Sequence, residues 1–194
     1  MPGRKKDFDE EEVLKKASEL FWKNGYCATN ARTLSKEMDM NLGSIYYSFS
    51  NKKELFEKSF QHTTDLLIDY MEQFIKRHED LKEGIKAFYI QQTKNPNSQD
   101  HQKGCFMGNT LIESAGTDES LKQLAVARIR KMEITLARLI ILAKEKEQIS
   151  QDKDEKLLAG YLVNTWHGLN ISRRYAGGTQ ELSATIALSL KILD

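Results

Sequence analysis

Between Thr29 and Leu55 the chain reads Thr-Asn-Ala-Arg-Thr-Leu-Ser-Lys-Glu-Met-Asp-Met-Asn-Leu-Gly-Ser-Ile-Tyr-Tyr-Ser-Phe-Ser-Asn-Lys-Lys-Glu-Leu, and this stretch decides the fold. Ala31, Leu34 and Met38 recur at helical spacing, which predicts a short helix from Asn30 to Met38 with Thr29 as its N-cap. Asp39-Met40-Asn41 is then a tight turn. Asn41 caps a second short helix, Leu42 to Phe49, with Ile45 and Phe49 inward. Asn51-Lys52-Lys53-Glu54 reads as a capping box opening a third helix. Two short helices joined so closely form the helix-turn-helix pattern. Its last helix enters the major groove N-terminus first, while the preceding one crosses the DNA backbone.

The residue types suit that task. Leu42, Gly43 and Ser44 open the recognition helix with small or uncharged groups, allowing close approach to the groove. Ser44 can donate to or accept from base edges, and Leu42 can lie against a thymine methyl. Tyr46 and Tyr47 present hydroxyls. Lys52 stands at a helix N-terminus, where its charge and the unpaired backbone N–H groups both attract phosphate.

Working outward, helix signals follow one another almost without a break. Val13, Ala17, Leu20 and Phe21 predict a helix from Asp9 to Asn24, started by Asp9 and Glu12 and stopped by Gly25. The helix opened at Asn51 carries Leu55, Phe56, Phe60, Thr63, Leu67, Tyr70 and Phe74 as its inward stripe. Further helices are expected over Leu81–Thr93, Cys105–Ser114, Asp118–Lys146, Asp154–Tyr175 and Gln180–Leu193. Lys94 to Lys103, polar and holding Pro96, reads as the clearest internal loop, and Gly177-Gly178 separates the last two helices. Sustained strand alternation is absent. The expected architecture is all-α with about nine helices: a three-helix reader over residues 1–52, then a helical bundle over 53–194.

Composition bounds the alternatives. No apolar run approaches the roughly 20 residues of a membrane span, and the basic Met1-Pro-Gly-Arg-Lys-Lys start lacks the apolar core of a secretory signal. Cys27 and Cys105 are too few and too far apart for a disulfide scaffold, so a reducing cytoplasm is expected. The formal net charge of +1 leaves room only for a small, positioned cationic footprint on DNA. His62, His78, His101 and His167 show no metal-ligand spacing, and no ExxH helix of a bundle enzyme occurs. No metal, no cofactor and no catalytic set are expected.

In order and spacing, Phe21, Gly25-Tyr26, Thr29, Leu34-Ser35 and Gly43 through Leu55 resemble the DNA-binding domain of the TetR family. The resemblance spans residues 8 to 56, and the larger helical region that follows agrees with that family's plan. It implies a ligand-responsive transcriptional regulator, most often a repressor, that binds palindromic operator DNA as a homodimer. By position it makes Thr29 and Lys52 phosphate clamps and Arg32 a base or phosphate reader. Gly43, Ser44, Tyr46 and Tyr47 become the recognition face. Three positions depart from the family pattern: Asp39 at a turn position usually Gly, Ser35 where Ala is usual, and Ser48 in place of His or Tyr.

The resemblance also implies dimerisation through the last two helices. Gly160, Asn164, Gly168 and Ile171 offer a stripe of small and polar groups, and Leu182, Ile186, Leu190 and Leu193 an apolar one; each is either dimer face or intrachain core. Phe60, Leu67, Phe88, Phe106 and Trp166, with Asn109, Thr110, Glu113 and Asn170 as polar anchors, either line a cavity for a small-molecule inducer or pack as core. Cys105, at a helix start, is either a thiol of lowered pKa suited to redox sensing or a packed, inert one. A helical interaction module, or a bundle enzyme that does not bind DNA, remains the competing reading.

Overall fold

A computed structural model describes residues 9–94, 99–176 and 178–194. Among them the helices are α1 (Glu10–Asn24), α2 (Ala31–Met38), α3 (Leu42–Ser48), α4 (Lys52–Lys76), α5 (Leu81–Gln91), α6 (Gln99–Gln102), α7 (Phe106–Ser114), α8 (Glu119–Glu145), α9 (Glu155–Ser172) and α10 (Thr179–Leu190), with a 3-10 turn at Lys191–Leu193. Nine of these match the expected helices. The tenth, α6, is a four-residue turn inside the segment expected to be loop; Pro96 lies outside the described residues.

Capping explains most boundaries. Asn30, Asn41, Asn51, Asp80, Asp118 and Asp154 each accept a hydrogen bond from a backbone N–H in the first turn that follows, satisfying donors the helix itself leaves unpaired. Thr29 is not the cap expected for α2. It is wholly buried, and its hydroxyl donates to the Gly25 carbonyl, leaving Asn30 to accept from Thr33 N at 2.9 Å. The reciprocal bond at α4 is displaced by one residue: Asn51 accepts from Glu54 N, and the Glu54 carboxylate accepts from Ser50 N.

Helix α4 is about 38 Å long at 1.5 Å per residue; it begins at the 52/53 boundary expected from the sequence and is packed against both halves. Its first turns belong to the reader: Leu55 and Phe56 are buried, and Phe56 meets Phe21 edge-on with centroids 5.0 Å apart. In its second half the inward stripe is Thr64, Ile68, Met71 and Ile75, one position beyond the expected Thr63, Leu67, Tyr70 and Phe74. The two stripes are neighbours on the helix and similarly apolar, so periodicity alone cannot choose between them.

Behind α4, the long α8 packs against α7, α9, α4 and α5, and α10 packs on α5 and α9. Tyr89 of α5 is fully buried and donates its hydroxyl to Leu162 O of α9 at 2.8 Å. Leu182, Ile186 and Leu190 of α10 and Leu193 of the 3-10 turn after it are all buried inside the chain. Of the two readings open for this stripe, dimer face or intrachain core, the second holds, because α10 packs on α5 and α9.

Candidate nucleic-acid interface

The α2–α3 turn is locked by two residues. Asp39 sits in the left-handed region (φ 52°, ψ 43°), where its N–H still reaches the carbonyls of Lys36 and Ser35. Asp is among the few non-glycine types that adopt this conformation routinely. The Ser35 hydroxyl donates across the turn to Met40 O at 2.7 Å. Both departures from the family pattern thus have a local structural use. The third, Ser48, keeps its hydroxyl buried with no hydrogen-bond partner among the described residues.

With Ile45 and Phe49 buried in the core and α3 packed on α2, the opposite face of α3 looks outward. Gly43 and Tyr47 are exposed, Tyr47 at 75%, while Leu42, Ser44 and Tyr46 are half-buried. Helix α3 carries no charged residue. On α2, Arg32 is exposed as expected, and Lys36 stands one turn further on the same outward face. Sequence reading missed Lys36, although its i,i+4 spacing from Arg32 was there to find. The other two expected clamps are turned inward. The buried Thr29 hydroxyl is occupied, and the Lys52 ammonium donates to Tyr26 O and Thr29 O, both at 3.0 Å, while lying 4.2 Å from the Tyr26 ring centroid. Lys52 therefore pins the α1–α2 loop to the start of α4.

The reader is fastened to the second domain along a seam. The Glu113 carboxylate of α7 accepts from Tyr26 N (3.0 Å) and Cys27 N (2.8 Å). Trp22 of α1 donates its indole N–H to Gly104 O at 3.2 Å and stacks on Phe106, centroids 5.6 Å apart. Lys53 pairs with Asp118, the cap of α8, at 2.9 Å. That hydrogen bond is the chief reason the Asp118 carboxyl is held down at about 2. A cleft of about 150 Å³ opens at this seam, lined by Tyr26, Cys27, Thr110, Glu113 and Asp118 among others.

The expected ligand-wall residues do not converge on one space. Phe60 and Phe106 meet edge-on at 4.9 Å in a cluster with Phe56 and Trp22. Phe88 and Trp166 stack at 5.8 Å in another cluster with Tyr89. Leu67 is only half-buried. The polar anchors are committed elsewhere: Asn109 donates to Lys103 O, Asn170 donates to Trp166 O, and Glu113 holds the reader. Cys105 caps α7, its sulfur accepting from Gly108 N at 3.4 Å, but it is buried, and burial pushes the thiol up rather than down. Desolvation outweighs the helix N-terminus here, so the low-pKa reading of Cys105 does not hold. A residue the sequence reading passed over, Arg173 at the end of α9, is 4% exposed and has no carboxylate partner among the described residues. At a helix C-terminus before Gly177-Gly178, an arginine looks like an ordinary surface cation; only the fold shows otherwise.

Among the described residues, no helix is long and apolar enough to cross a membrane. This architecture defines a class. Residues 13–58 match the family model described as bacterial regulatory proteins, tetR family, and residues 82–188 match the one described as Tetracyclin repressor-like, C-terminal domain. The chain belongs to the TetR family: it is a DNA-binding transcriptional regulator and not an enzyme. Among individual relatives, the HTH-type transcriptional repressor ComR of Escherichia coli (strain K12) is 25% identical, over 98% of this chain and 91% of ComR. The HTH-type transcriptional regulator YezE of Bacillus subtilis (strain 168) is 23% identical over 99% of this chain and all of YezE. The fold matches a cysteine variant of the TetR family regulator CifR, solved with a 26-bp double-strand operator DNA, at a TM-score of 0.86 and 20% identity, over 99% of this chain and all of that one.

Proposed function

We propose that this regulator is a cytoplasmic repressor that binds a palindromic operator as a homodimer and releases it when a small molecule binds in its C-terminal domain. The observation that carries the reading is the single helix α4: it is packed into the reader at Phe56 and into the second domain from Phe60 onward. A ligand that shifts α4 changes the angle and spacing of the readers. It can do so only through its differential affinity for the two states, usually about 1–3 kcal/mol.

On this reading Gly43, Ser44 and Tyr47 meet base edges, with Leu42 and Tyr46 beside them. Arg32 and Lys36, the exposed cations of α2, meet phosphates. The dimer face is the exposed stripe of α9, Leu157, Tyr161, Asn164, Gly168 and Ile171, with Tyr175 just past its end, continued by Leu188 of α10 and Ile192 of the 3-10 turn. Leu157 and Leu188 are 75% and 65% exposed, and so long an apolar stripe on a monomer marks an interaction surface. Two readers set about 34–36 Å apart, or somewhat more, would span two half-sites. ComR, named a repressor, and CifR, solved on operator DNA, give the family background for this reading.

Electrophoretic mobility shift with fragments of the source genome tests it. Retarded complexes holding two chains per duplex are expected, and binding that stays equally weak on every fragment contradicts the proposal.

A further inference from the structure

Among the described residues the guanidinium of Arg173 is a buried cation with no carboxylate partner; the ionisable group that acts on it is the buried Cys105 thiol. The residue is 4% exposed. Of its five N–H groups, one on Nη1 donates to Asn170 Oδ1 (3.2 Å) and one on Nη2 to Gln92 Oε1 (3.3 Å), both long bonds to neutral amides. Its Nε–H has no acceptor among the described residues. The Trp166 indole N–H is directed toward the Cys105 sulfur, and the Arg173 guanidinium carbon lies 5.7 Å from the Trp166 ring. The C-terminal end of α9 offsets part of the charge through its dipole, but a dipole does not take the place of a counter-charge. Burying an ion unpaired is among the most destabilising arrangements a core can hold.

We infer that Arg173 is the anchor of an anion site in the C-terminal domain, and that the regulator's effector carries a carboxylate. A planar carboxylate matches the fork of the guanidinium, accepting from Nε–H and one Nη–H together. The Trp166 ring beside it, stacked on Phe88, is the nearest aromatic surface an apolar body would meet once the site opens. Asn170 and Gln92 then hold the guanidinium in place instead of contacting the ligand. This deepens the functional proposal above and rests on its reading of the C-terminal domain as the effector domain.

The test compares wild type with Arg173→Met, which keeps the aliphatic packing and removes the charge, and with Arg173→Lys, which keeps the charge without the fork. Thermal unfolding is followed without DNA and under reductant, so that no anion can arise from oxidation of Cys105. The probes are benzoate and octanoate against benzamide and octanol, each at the same millimolar concentration. For the free protein, Arg173→Met should raise Tm by about 2–4 °C, because an uncompensated buried charge is gone. The two carboxylates should raise the Tm of wild type above that given by their neutral counterparts. The difference should vanish in Arg173→Met and shrink in Arg173→Lys. Either of two results overturns the anion site: carboxylates that stabilise wild type no more than their neutral counterparts, or a carboxylate effect that survives in Arg173→Met. A mobility shift with each bound carboxylate separates the two readings. Binding through Arg173 that leaves DNA affinity unchanged refutes the effector role and leaves the anion site standing.

Discussion

Glu113→Ala is the most informative single change to the seam between the domains. The carboxylate accepts two backbone N–H groups from the loop that leads into α2, at 3.0 and 2.8 Å. A hydrogen bond to a charged group is worth roughly 1.5–3 kcal/mol, but Cys27 is exposed and water can replace part of the loss. The pair together is therefore worth about 2 kcal/mol, or a fall in Tm of about 4–8 °C for a chain of this size. Gly25 supplies the control. Its backbone sits at φ 85°, ψ 164°, a region essentially reserved for glycine and costing about 1–3 kcal/mol for other residues. A Cβ there would also lie 2.9 Å from the Glu113 carboxylate oxygen, pushing it off its donors. Gly25→Ala should thus cost both strain and the tether in wild type, but only strain in the Glu113→Ala background. Denaturant unfolding of the four proteins should give a double mutant less destabilised than the sum, by about 0.5–3 kcal/mol. Additivity within about 0.3–0.5 kcal/mol would refute the tether.

Three further outcomes follow from the same geometry. Leu157→Lys or Leu188→Lys places a charge on the exposed stripe of α9 and α10, so light scattering should show the dimer shifted toward monomer with the fold intact; Ile186→Lys should instead unfold the chain, since Ile186 is intrachain core. Arg32→Ala removes one cation from a phosphate and should flatten the plot of log affinity against log salt by about 0.9, whereas Lys52→Met should lower Tm by loosening the α1–α2 loop. Asp118 is depressed from 3.8 to about 2 by Lys53, so the stabilisation it contributes is present above about pH 4 and lost as pH falls toward 2. Asp118→Asn should remove that part of the acid transition, read by circular dichroism across the same range.

How much of this was legible in the sequence differs between the two halves. The reader is written in local signals: caps at Asn41 and Asn51, a turn at Asp39, apolar residues at helical spacing. Each of these acts within a few residues of where it stands. Even there Thr29 misled, because the identity of the cap depends on which hydroxyl the α1–α2 loop turns inward. The second domain is decided by partners far apart in the chain. Glu113 meets Tyr26 and Cys27 across more than eighty residues, and Arg173 reaches Gln92 across a similar distance. No periodicity encodes such pairings. Stripes on α9 and α10 also read alike whether they face this chain's own core or a second subunit. The apolar pattern fixes amphipathicity, and packing alone fixes which face is covered.

The central claim, that this chain reads a specific duplex as a symmetric pair, is tested most directly by selection from random duplexes with the wild-type protein. One palindromic sequence should be enriched, with half-sites about one helical turn or somewhat more apart, and Ser44→Ala or Tyr47→Ala should alter the base preference. Selection that enriches no sequence, or a single half-site without its mirror, would contradict it.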